Sequence, residues 1–168
     1  MNTDPILVVT TGGTFDKAYF DALSTYQVGD SVVAKLLQIA HVTHAYRVEE
    51  FSRKDSLDLT EADREQLRER IANAPEMRVV VTHGTDTMTQ SADVLRSIPN
   101  KTIVLTGALA PARFAESDAP FNLGMAFGIA QTAAAGVYIA MNGSVFDAGR
   151  VRKDRAHARF VATDGAST

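Results

Sequence analysis

Four short runs of apolar residues punctuate the chain, at 6–10, 78–82, 102–105 and 137–141. Runs of this length with little polar alternation are the pattern of strands buried on both faces of a parallel sheet. Between them, apolar positions recur at helical spacing. Residues 30–40 open on Asp30, a candidate cap, and repeat Val33, Leu36, Leu37 and Ala40. Thr60-Glu61-Ala62-Asp63 has the form of a capping box with aspartate in the closing position, and Leu67 and Ile71 follow on one face. Residues 86–97 and 121–134 read as two more helices. The last is apolar almost all round, which predicts a buried helix, with Gly124 and Gly128 allowing close packing in the core. Strands alternating with helices predict an α/β fold, a three-layer α/β/α domain on a mostly parallel sheet.

In open sheets of this kind, ligands bind beyond the C-terminal ends of the strands. Three polar stretches fall there: Gly12-Gly13-Thr14, His83-Gly84-Thr85-Asp86-Thr87 and Thr106-Gly107-Ala108. The first lacks the spacing of a P-loop and of a dinucleotide fingerprint, so it is no nucleotide motif. It fits two readings, a plain bend or a seat for a hydroxyl nucleophile at Thr14 beside backbone N–H groups that face a developing oxyanion. In the second stretch Asp86 is a candidate ligand for a substrate ammonium, and Thr85 a candidate nucleophile or water-orienting group. Asp86 and Thr87 would equally well cap the following helix. His83 is expected to satisfy a backbone group beside its strand end. Lys153, in the basic run Arg150-Val151-Arg152-Lys153, is either a solvated charge or a buried base. Residues 15–29, polar and aromatic without periodicity, read as an ordinary connection or as a mobile lid, with their length favouring the lid.

Composition removes whole classes of function. A single domain of 168 residues buries roughly 70% of its unfolded surface, so it needs no staple, and without cysteine it has neither disulfides nor a thiolate metal site. His41 and His44 have no evident third partner for a metal. With 17 basic and 20 acidic residues, net −3, the chain carries no footprint for nucleic acid. Its opening residues lack the basic region of a secretory signal, and no stretch is long enough to span a membrane, so a cytoplasmic location is expected. A serine hydrolase of the G-x-S-x-G type is excluded by the missing motif.

Taken together, TTGGTFDK, THGTDTM and TGALAPARFAESDAPFNLGMA, followed in order by Met141-Asn142-Gly143-Ser144-Val145-Phe146 and the Lys153 run, resemble the bacterial-type L-asparaginase family over nearly the whole chain. The resemblance implies a Rossmann- or flavodoxin-like sheet and hydrolysis of L-asparagine to L-aspartate and ammonia without a cofactor or metal. Thr14 matches the family's nucleophile, Thr85 and Asp86 the second threonine and its aspartate, and Lys153 the lysine that partners Thr85. Ala108 matches the alanine whose carbonyl faces the substrate amide, and Gly13 and Gly84 lie in the two motifs that line the substrate. The tyrosine that activates the nucleophile matches Tyr19, with Tyr26 as the alternative. The family completes its sites at subunit contacts, which implies a homo-oligomer.

Two departures qualify the match. Familiar members have a second, C-terminal domain, and this chain resembles a short single-domain form spanning 1–168; Asp55 is a candidate replacement for the acidic residue a neighbouring subunit's second domain supplies. The segment that holds the substrate carboxylate reads Ser52-Arg53-Lys54-Asp55-Ser56, so Arg53 or Lys54 would ion-pair with that carboxylate, and weak glutaminase activity is expected. Two other readings stand beside asparaginase: an amidohydrolase for another ω-amide, and an aspartate- or asparagine-binding module with impaired catalysis.

Overall fold

All four apolar runs form strands of one six-stranded sheet in the computed structural model, which describes residues 4–20 and 24–163. They are β1 (Ile6–Gly12), β5 (Arg78–Thr82), β6 (Thr102–Thr106) and β7 (Gly136–Met141). Two further strands flank them: β4 (Tyr46–Lys54) lies outside β1, and β8 (Ser144–Asp147) closes the far edge. The order is β4-β1-β5-β6-β7-β8, parallel except for the β7–β8 hairpin. The expected α/β/α layering is present. Leu7, Val9, Val79, Val81, Ile103 and Leu105 face one helical layer, while Ile6, Val8, Val80 and Val104 face the other. This alternation within continuous apolar runs is what a sheet covered on both sides requires.

Helices α2 (Glu61–Asn73) and α3 (Met88–Leu95) cover the first face; α1 (Val33–Ile39) and α4 (Ala119–Thr132) cover the second. The capping box opens α2 as the sequence predicts: the Asp63 N–H donates to Thr60 Oγ1 at 3.1 Å, and the Thr60 N–H donates to the Asp63 carboxylate at 2.8 Å. Two local expectations fail. Asp30 does not cap α1. Its carboxylate pairs with Arg53, and the Val32 N–H at the helix start instead donates to Asp16 Oδ1 at 3.1 Å. Nor is α4 buried all round. Asn122, Leu123, Ala126, Phe127 and Ala130 face the sheet, but Phe121 is 64% exposed, and the space beside Gly124 and Gly128 is open. A uniformly apolar helix gives no periodic signal to say which face is covered, so tertiary packing decides it.

Strands β2 (Lys17–Phe20) and β3 (Thr25–Val28) pair antiparallel as a hairpin, and residues 21–23 between them lie outside the described residues. A second hairpin, β9 (Val151–Asp154) with β10 (Arg159–Ala162), follows the sheet. Among the described residues no helix is long and apolar enough to cross a membrane. The facing of α4 is tested by two alanine substitutions followed by urea denaturation. Phe127→Ala is expected to cost about 3–5 kcal/mol through loss of a buried ring, and Phe121→Ala under about 1 kcal/mol.

Candidate active site

Because β4, β1, β5 and β6 are neighbours and parallel, the loops after them emerge side by side. The connections reverse direction here. The chain leaves β1 toward β4 through α1 on one face, and leaves β5 toward β6 through α3 on the other, so the crevice between β1 and β5 is the switch point. The loop after β1 carries Gly13 and Thr14, and the loop after β5 carries Gly84, Thr85 and Asp86. The two meet without side chains between them. A Cβ on Gly13, where φ is +75°, would sit 2.5 Å from the Gly84 backbone, and a Cβ on Gly84 would sit 2.5 Å from the Ser56 Cβ. Three expected site residues from the loops after three strands therefore pack one against the next because two of them have no side chain.

Thr14 opens a single helical turn, is partly buried, and its hydroxyl has no hydrogen-bond partner among the described residues. Thr85 and Asp86 share one cation. Lys153 Nζ donates to Thr85 Oγ1 at 2.7 Å and to Asp86 Oδ1 at 2.9 Å, while Arg155 lies 3.7 Å from the same carboxylate oxygen. Lys153 is no solvated surface charge: its side chain is 16% exposed. The β9–β10 hairpin delivers it, anchored by buried Val151 and Phe160, and the Phe160 N–H donates to Asn142 Oδ1 at 2.9 Å. Asp86 does not cap α3. Thr87 occupies the cap position and donates its hydroxyl to the Ser56 carbonyl at 2.7 Å, tying the β5 loop to the β4 loop.

The segment after β4 is divided. Ser56 is buried under Gly84. Asp55 pairs with Lys17 at 2.9 Å and accepts the Leu57 N–H. Burial works to raise the Asp55 carboxyl, but Lys17 and the Leu57 N–H outweigh it and hold it below the usual carboxylate range. Arg53 and Lys54 are exposed and already paired, Arg53 with Glu50 at 2.8 Å and with Asp30, and Lys54 with Asp63 at 2.8 Å. Tyr19 and Tyr26 face each other across the hairpin, their ring centroids 5.4 Å apart and each 52% exposed, with Tyr26 edge-on to Phe114. No hydrogen bond joins either ring to Thr14 among the described residues.

Ala108 is buried in the turn after β6. Two residues with no role in the sequence reading hold that turn. Asp118 accepts the Leu109 and Ala110 N–H groups at 3.0 Å, and Asn122 Nδ2 donates to the Gly107 carbonyl at 3.0 Å. Their signal was the position of Asp118 just ahead of a helix, which looks like an ordinary cap; its carboxylate turns to the loop instead.

This geometry has counterparts. The family described as Asparaginase, N-terminal, matches residues 5–162. The chain belongs to that family. A glutaminase-asparaginase of Acinetobacter glutaminasificans is 32% identical over 182 residues, covering 96% of this chain and 54% of that protein. The crystal structure of L-asparaginase I from Vibrio cholerae superposes with a TM-score of 0.84 at 25% identity, over 96% of this chain and 52% of the other. The thermostable L-asparaginase from Thermococcus kodakarensis gives a TM-score of 0.79 at 26% identity, over 94% and 51%. The chain thus spans about half the length of these relatives.

The asparaginase-family match includes every loop of the crevice, and with them the buried His83. Its ring is 0% exposed, with Nδ1 2.7 Å from the Gly84 carbonyl and Nε2 2.7 Å from Ser91 Oγ. Burial lowers its pKa to about 4, with the Gly84 carbonyl opposing. An unfolded histidine takes its proton near pH 6.5, so between that value and about 4 the unfolded chain binds the proton and the folded chain does not. Stability contributed by neutral His83 is complete above pH 6.5 and falls by about 3 kcal/mol as the pH drops to about 4. In urea titrations at stepped pH, the stability gap between wild type and His83→Asn should narrow over that window. Parallel curves would disprove the assignment.

Proposed function

We propose that this chain hydrolyses the side-chain amide of L-asparagine, releasing L-aspartate and ammonia through an acyl-enzyme on Thr14. The observation that carries the reading is the Lys153–Thr85–Asp86 cluster, whose threonine and aspartate lie in the loop that touches the Gly13–Thr14 turn. In this reading Thr14 Oγ1 attacks the amide carbon, and backbone N–H groups of the turn meet the oxyanion. The proton lost from the Thr14 hydroxyl, relayed by a tyrosine hydroxyl, passes to the amide nitrogen as the carbon–nitrogen bond breaks, and ammonia leaves an ester on Thr14. Water then attacks the ester, positioned by Thr85 with Lys153 donating to its oxygen. Asp86 receives the substrate α-ammonium, in competition with the two cations that it already faces.

The finer features are part of the same proposal. The 15–29 hairpin acts as a lid that brings Tyr19, or its partner Tyr26, to the Thr14 hydroxyl. The chain works in a cytoplasmic homo-oligomer, with Asp55 as an acidic group beside the substrate amine. Weak glutaminase activity rested on Arg53 or Lys54 reaching the substrate carboxylate. Both are committed to other carboxylates, and a similar protein is called a glutaminase-asparaginase, so glutamine stands as the competing substrate.

Ammonia release from L-asparagine and L-glutamine by the purified protein tests the reading. Thr14→Ala is expected to lower kcat at least about 10³-fold through loss of the nucleophile, and Lys153→Met by a similar factor through loss of the cation that holds Thr85. Of Tyr19→Phe and Tyr26→Phe, the one with the larger kcat loss identifies the activating hydroxyl. No release from either amide by a folded protein would refute the enzyme reading.

A further inference from the structure

Behind the Thr85 loop lies a chain of polar groups that the reaction above does not use. Arg64, in the first turn of α2, is 7% exposed, and no carboxylate among the described residues lies within ion-pair distance of it. Its Nε donates to Ser91 Oγ at 3.2 Å, and its Nη1 donates to the Leu59 carbonyl at 2.9 Å. Burying a cation without a counter-ion is costly, so its hydrogen bonds need a purpose beyond packing two helices.

The donors and acceptors leave one consistent arrangement. The Gly84 carbonyl accepts only, so the proton of the His83 ring is on Nδ1. In the neutral ring Nε2 is then an acceptor, and the Ser91 hydroxyl donates to it. With its hydrogen spent, Ser91 Oγ accepts from Arg64, which has donors alone. The directions follow outward from the carbonyl of the residue before Thr85: ring to carbonyl, hydroxyl to ring, guanidinium to hydroxyl. A protonated ring would need Ser91 to accept from both sides and would place a second cation beside Arg64.

We propose that Arg64 and Ser91 are positioning residues, which hold the Nε2 side of the His83 ring and through it fix the Gly84 carbonyl and the placement of Thr85 and Asp86. The catalytic part of this inference rests on the asparagine-hydrolysis reading; the tautomer part does not. The test has two arms on the full chain. In the first, side-chain ¹⁵N spectra at neutral pH should show His83 as a single Nδ1–H tautomer in the wild type, and Ser91→Ala should keep that tautomer with the Nε2 resonance moved downfield, because the bare nitrogen has lost its donor. In the second, ammonia release should fall about tenfold to a hundredfold in kcat for Ser91→Ala, the range expected when reacting groups shift by less than about 1 Å. Arg64→Met should lose a similar factor, and the double variant no more than Ser91→Ala alone, because the residues act in series. Arg64→Lys, which keeps a donor, should recover part of the loss.

An Nε2–H tautomer in the wild type, or an unchanged His83 spectrum in a folded Ser91→Ala, would overturn the relay. Additive losses in the double variant would also overturn it, leaving two independent packing effects. If the wild type shows the expected tautomer but releases no ammonia, the relay stands and the asparagine reading falls.

Discussion

The crevice depends on backbone meeting backbone where the β1 loop crosses the β5 loop. Gly13 and Gly84 approach so closely that a single methyl group on either would collide with main-chain or Ser56 atoms. This contact brings the loop that carries Thr14 against the loop that carries the lysine-held Thr85. The sheet order sets the stage by making β1 and β5 neighbours at the switch point. The absent side chains set the distance.

Around that contact, charges are separated by burial. Arg53, Lys54 and their carboxylate partners lie at the solvent-facing side, where such pairs add little stability. Lys153 is enclosed and divides its donors between a hydroxyl and a carboxylate, leaving Asp86 with two cations on one oxygen. Asp16, two residues after Thr14, is enclosed as well. Burial raises its carboxyl, against the Val32 N–H, the Ser31 hydroxyl and Arg113. It starts α1 while its carbonyl accepts the Gly29 N–H, so the base of the hairpin is pinned even though its tyrosines are exposed.

What the sequence disclosed follows from where each signal is local. Four central strands were legible because burial on both faces demands unbroken apolar runs, and the capping box because its two residues lie three apart. Strand β4 was not. At a sheet edge it carries Arg47, Glu49, Glu50 and Arg53, satisfied by ion pairs with one another, with Glu76 and with Arg70, so its composition looks like a loop. The motifs marked Thr14, Thr85, Asp86 and Lys153, and the structure gathers the last three directly. The groups that hold them escaped notice for the same reason as the cap on α1. Asp16, Arg64, Ser91, Asp118 and Asn122 act across the fold, on partners that spacing along the chain does not reveal.

Lys153 shows how far this long-range dependence extends. It lies 68 positions from the threonine it contacts, on a two-stranded hairpin outside the main sheet. That hairpin could sit at many angles if it were held by its own two strands, since an isolated hairpin is marginal in water. Val151 and Phe160 remove the freedom by inserting into the layer that also holds Met88 and Leu95 of α3. The same helix carries Ser91, and its start carries Thr87, which bonds to Ser56. One short helix therefore sets the lysine, the histidine beneath the loop and the tie to β4 at once. Displacing α3 would disturb the site from three directions, whereas the exposed face of α4 can vary without reaching it.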